Sequence, residues 1–144
     1  MAIPLRTIIL PTEGKYSEQH RKMLESNLDS LFLRYIHLRD RGICVLTGKR
    51  QRNVEPFHFW KDCPALRWDE RTIHDVVLSE RDRFNNRDCT VYHDFMVRTY
   101  PEFEELKKLA RQRECAYSIK KLLEITDTLG KKYQKLLIEK RDSK

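Results

Sequence analysis

Apolar positions along the chain follow three different patterns. Residues 1–14 hold the β-prone run Thr7-Ile8-Ile9-Leu10 between Pro4 and Pro11, with Gly14 at its end, and predict an extended arm over 1–15. From Ser17 the spacing turns helical: Leu24, Leu28, Leu31, Tyr35 and Leu38 recur at steps of four and three, widened by Phe32 and Ile36. Ser17 is the expected N-cap of this long helix and Gly42 its expected stop.

Residues 43–74 break that period. Short apolar stretches at 43–46 and 54–60 are separated by the turn-like Thr47-Gly48-Lys49 and followed by Lys61-Asp62-Cys63-Pro64. They predict a compact β-hairpin feeding a helix after Asp75, with Asn85-Asn86-Arg87-Asp88 breaking the chain again. From Pro101 the pattern is helical once more. Phe103, Leu106, Leu109 and Ala110 form one amphipathic set, and Ile119, Leu122, Thr126, Leu129, Tyr133 and Leu136 form a near-heptad seam interrupted by Gly130. That seam either closes onto the first helix or meets a helix of a partner protein. The expected class is α+β: a long N-terminal helix, a central strand–strand–helix (ββα) element around 43–84, and a helical region from Pro101. The corresponding units are 1–15, 16–100 and 101–144.

Composition changes this picture little. The 144 residues, 40% of them hydrophobic, are enough for one core. The longest apolar runs, Ile8-Ile9-Leu10 and Val76-Val77-Leu78, fall far short of the ~20 residues of a membrane span, and Met1 to Arg6 do not read as a secretory signal, so a cytoplasmic protein without membrane contact is expected. Charge matters more. Twenty-nine Lys and Arg against 22 Asp and Glu leave +7, and residues 101–144 hold 12 basic and 8 acidic groups. The balance points weakly to a polyanion. Lys120, Lys121, Lys131, Lys132 and Lys135 would line a cationic flank beside the seam. Cys44, Cys63, Cys89 and Cys115 form no Cys-x-x-Cys pair, so they read as reduced thiols, with a zinc site built by pairing them as the alternative.

The candidate chemistry centres on His58, within Val54-Glu55-Pro56-Phe57-His58-Phe59-Trp60. A neutral imidazole at a strand end is either a packed core group or a base near physiological pH. Its context sharpens the choice. Leu28-Asp29, the helix end Tyr35-Ile36-His37-Leu38-Arg39-Asp40, Cys44-Val45-Leu46-Thr47-Gly48, Phe57-His58-Phe59 and Leu66-Arg67-Trp68-Asp69-Glu70-Arg71-Thr72-Ile73-His74 follow one another in order. This order resembles the NinG (Rap) recombination-endonuclease family of phages, a branch of the HNH, or ββα-metal, nucleases. The likeness runs over 28–109.

The resemblance implies a hairpin followed by a helix, with His58 activating water and Mg2+ or Mn2+ stabilising the transition state. It also implies branched or single-stranded DNA as substrate and the cytoplasm of an infected bacterial host as the setting. The departures are as informative. Where the family carries two zinc Cys-x-x-Cys pairs, this chain has Cys44 and Thr47, then Val77 and Glu80, so no structural zinc is expected. Thr72 stands at the HNH asparagine position and Arg81 at the late metal-ligand position, and a guanidinium offers only donors. An alternative metal set would use His58, His74, Asp75, Glu80 and Asp82. Lys49, Arg50 and Arg52 on a turn, and Arg67, Arg71, Arg83 and Arg87 around the nuclease-like helix, are candidate phosphate contacts. The expected protein is a DNA-binding, recombination-type module with degenerate nuclease chemistry. The alternative is an active metal-dependent endonuclease with His58 as general base.

Overall fold

The computed structural model describes residues 14–112 and 117–142. Helix α1 (Gly14–Asp40) is followed by strands β1 (Val54–His58) and β2 (Ile73–Val77), then by helices α2 (Leu78–Asn85), α3 (Thr90–Thr99), α4 (Phe103–Ala110) and α5 (Ile119–Asp142). The chain is α+β, with a long leading helix, a two-stranded antiparallel sheet and a helical C-terminal region. Among the described residues no helix is long and apolar enough to cross a membrane. Most of the expected arm lies outside the described residues. Its last two positions, Gly14 and Lys15, open α1, so the helix starts ahead of the expected cap at Ser17.

The buried face of α1 is the i, i+4 line Leu24, Leu28, Phe32 and Ile36 with Tyr35 beside it, while Leu31 and Leu38 sit at its margin. Its stop is conformational. Arg41 (φ 60°) and Gly42 (φ 69°) both turn left-handed, and the Arg41 and Ile43 amides donate to the carbonyls of His37 and Asp40. Glycine supplies that turn at little cost; an arginine does not.

The hairpin differs from the expectation. β1 pairs with residues 73–77, from Val54 opposite Val77 to His58 opposite Ile73, and not with 43–46. The apolar run at 43–46 is too short before Gly48 (φ 72°) folds it back. The Gly48 amide donates to the Cys44 carbonyl at 2.7 Å, and only an isolated bridge joins Ile43 to Arg50. β2 was hidden in the sequence because His74 and Asp75 interrupt its apolar run, yet all five of its residues are buried. The helix expected after Asp75 begins at Leu78, and Arg87 (φ 72°) marks the expected break after α2.

β2 is the wall between two apolar clusters. Ile73 joins α1 and α5 (Leu24, Leu28, Phe32, Leu122, Leu129), and Val76 and Val77 join Cys44, Val54, Phe57, Tyr92, Met96 and Phe103. The seam of α5 therefore closes on α1 within the chain, the first of the two alternatives. Gly130 does not interrupt it: α5 runs unbroken from Ile119 to Asp142.

This packing fixes a stability expectation. Leu122, with no exposed surface, should cost about 2–5 kcal/mol when cut to alanine, because the cavity faces a helix that cannot collapse into it. Leu137, 37% exposed on the same helix, should cost about 0.5 kcal/mol or less. Urea unfolding midpoints of the two variants measure the difference.

Candidate functional site

His58 ends β1 and lines a cleft of about 810 Å³ shared with Asp29 and Phe32 of α1, Glu55 of β1, Trp60, Cys63, Arg67, Trp68 and Arg81 of α2. Burial lowers the His58 pKa below its usual 6.5, partly opposed by the negative charges of Asp29 and Asp62. The imidazole is thus neutral near physiological pH and half-exposed to the cleft. Asp29 organises one wall. It accepts from Arg67 Nη2 at 2.7 Å, Arg67 Nε at 3.2 Å and Trp68 Nε1 at 2.8 Å, and the guanidinium lies 4.6 Å from the centre of the Trp68 ring.

Arg81 also lines the cleft. Nε donates to the Val76 carbonyl and Nη2 to the Asn53 carbonyl, both at 3.1 Å, and Nη1 pairs with Glu55 at 3.2 Å. Thr72 lies outside the cleft lining. It is fully buried, and its hydroxyl donates to the Asp69 carbonyl at 2.9 Å.

The alternative metal set does not converge. His74 is buried between two tyrosines, with Nδ1 3.1 Å from Tyr92 Oη and Nε2 2.7 Å from Tyr100 Oη. Tyr92 donates its own hydroxyl proton to the Phe57 carbonyl at 2.7 Å, so it accepts from His74 Nδ1–H. The remaining lone pair of His74, on Nε2, then accepts from Tyr100 and is not open to a cation. Asp75 is fully buried and faces His37, whose Nδ1 stands 3.0 Å away; its amide donates to Asp40 at 2.8 Å. Glu80 stands 3.4 Å from Arg83, and Asp82 is exposed on α2. Among the described residues no group of three or more His, Cys, Asp or Glu gathers as a metal site, and Arg81 puts a fixed cation in the cleft lining. The alternative metal set is therefore dispersed among the described residues, with His74 and Asp75 engaged elsewhere.

The candidate phosphate contacts separate into two groups. Arg67, Arg71, Arg81 and Arg83 are each paired: with Asp29, with Asp69 and Glu102, with Glu55, and with Glu80 and Asp88. Lys49, Arg50, Arg52 and Arg87 are exposed, and no ion pair joins them to the described residues. Cys44 Sγ accepts from the Val77 amide at 3.3 Å, which fastens the 43–46 turn to the end of β2. Sequence reasoning missed the organising roles of Asp29, Tyr92 and Tyr100. The readable signal was Asp29 itself, a carboxylate adjoining Leu28 on the apolar stripe. Compared with known proteins, the chain matches no family model, no curated protein and no solved structure.

The buried histidine sets a pH dependence. Burial, helped by nearby Arg39, pushes the His74 pKa from 6.5 down to about 3. As pH falls below 6.5 the unfolded chain takes up this proton first, so stability present at neutral pH drains away toward pH 3. Asp75 acts with the opposite sign: burial raises its pKa, so the folded state protonates first. Comparing the wild type with His74→Gln cancels that contribution. The wild type should lose about 3–5 kcal/mol more than the variant between pH 7 and pH 3, read from urea unfolding at each pH.

Proposed function

We propose that the protein is a nucleic-acid-binding module derived from the HNH nucleases, which keeps the strand–strand–helix frame and the strand histidine and binds DNA without cutting it. The observation that carries the reading is the cleft that His58, at the end of β1, shares with Arg81, on the helix directly after the hairpin. In the resembled family that helix position ligates a metal; here it holds a permanent cation, engaged by Glu55 and two backbone carbonyls, that supplies no Lewis acid. The Cys44–Val77 contact supports the same reading, because it brings together two positions, 33 apart in the chain, that the resemblance aligns with the first and second zinc pairs.

One observation favours the second reading, an active endonuclease. His58 is held neutral, the form that accepts a proton from water. Among the described residues no three His, Cys, Asp or Glu gather beside it, which is why binding is preferred.

The test is direct. Branched and single-stranded DNA are incubated with the protein and Mg2+ or Mn2+, alongside His58→Ala. Retarded but intact DNA with both proteins is the expected outcome. Metal-dependent cutting that His58→Ala abolishes would establish the endonuclease instead, and no binding to any DNA would overturn both readings.

A further inference from the structure

The stretch between Asp40 and Glu55 carries no acidic residue, although charged residues make up 35% of the chain. It carries four cations: Arg41, Lys49, Arg50 and Arg52. All four are exposed, and none forms an ion pair with the described residues. The two acids that bracket the stretch are already engaged, Asp40 by Arg39 at 2.8 Å and Glu55 by Arg81 at 3.2 Å. The arginines of the cleft are neutralised by carboxylates; these four are not.

The segment is also preformed. The Cys44 amide donates to the Lys49 carbonyl at 3.0 Å, an antiparallel bridge joins Ile43 to Arg50, and the Val45 amide donates to the Asp75 carbonyl at 3.0 Å, fastening the loop to β2. Cys44 is buried, and Ile43, Val45 and Leu46 are half-buried beside it. The tip, 47–53, is exposed throughout and holds Thr, Gly, Lys, Arg, Gln, Arg and Asn. It has no apolar side chain to enter a bilayer, but it alternates cations with neutral hydrogen-bonding groups suited to a sugar–phosphate chain.

We infer that the 41–53 loop, and not the arginine-lined cleft, is the surface that holds the phosphodiester backbone of a nucleic acid. This rests on the reading above and specifies which part of the module makes the contact. The loop leads directly into β1, whose five residues span about 15 Å to His58, so a strand held at the loop extends toward the cleft.

The test is fluorescence anisotropy of a labelled DNA duplex, titrated with the full-length protein across a series of salt concentrations. Two triple variants each remove three exposed cations: Lys49→Ala/Arg50→Ala/Arg52→Ala in the loop and Lys120→Ala/Lys121→Ala/Lys135→Ala on α5. Circular dichroism checks that both remain folded. Each lost phosphate contact removes about 0.9 from the slope of log affinity against log salt, so the loop variant should lose about 2–3 of slope and at least about tenfold in affinity. The α5 variant should keep both.

Unchanged slope and affinity in the loop variant, with the wild type binding, overturn this inference and leave the module reading standing. So do equal losses in both variants, which would mean that only net charge counts. A wild type that binds no DNA overturns both. Loop-dependent binding to vesicles of phosphatidylserine and phosphatidylcholine, without DNA binding, assigns the loop to a lipid surface instead.

Discussion

β2 is buried along its whole length although two of its five side chains are ionisable, and several elements meet around those two groups. An unpaired buried charge costs far more than one apolar contact returns. His74 avoids charge by remaining neutral between the hydroxyls of Tyr92 and Tyr100, which fixes α3 and its C-terminal end against the sheet. Asp75 sits on the α1 side, within reach of His37, while its backbone is held by Asp40 and by Val45. One strand thereby anchors α1, the 41–53 loop and α3 at once.

The same economy explains the arginines. Arg39 donates to the carbonyls of Glu70 and Ile73 at 2.6 and 2.7 Å, Arg67 clamps Asp29, and Arg71 joins Asp69 to Glu102. In each case a guanidinium fork ties a loop to a neighbouring element, a task for which five fixed donors suit arginine better than lysine. The count of 29 Lys and Arg therefore overstates the cations the protein offers a polyanion, because several of them are internal fastenings. Four exposed cations with no ion pair to the described residues, Arg41, Lys49, Arg50 and Arg52, lie on one short loop that contains no acid and whose backbone the fold has already ordered.

Sequence alone made α1, α4 and α5 legible because their burial follows one period, whereas α3 was not expected and α2 buries no residue. The Leu24-Leu28-Phe32-Ile36 line, the left-handed stop at Gly42 and the α5 seam could all be read from spacing. β1 was legible as an aromatic, β-prone run ending at His58. β2 was not, because polar residues in a strand mark exposure unless their partners are known, and Tyr92 and Tyr100 lie 18 and 26 residues beyond His74. The site was legible in part. His58 and Arg81 do share a cleft, but Thr72 is a buried hydroxyl closing a turn, and which arginines are already paired depends on carboxylates as distant in the chain as Asp29 and Glu102.

How the hairpin stays closed bears on whether it cuts. A metal ion crosslinks the elements that ligate it and also leaves open coordination positions for substrate. Arg81 does the first without the second. Its fork joins the Asn53 carbonyl ahead of β1, the Val76 carbonyl of β2 and Glu55 of β1 to a residue of α2. Hydrogen bonds from a charged group contribute roughly 1.5–3 kcal/mol each, and the pair with exposed Glu55 contributes least. Cys44, buried and accepting from the Val77 amide, closes the other end by packing among Val54, Val76 and Val77. On the reading proposed, a ββα frame fastened in this way can lose its metals and still hold its shape. What it retains for a partner is the geometry of the cleft and the charge of the loop beside it.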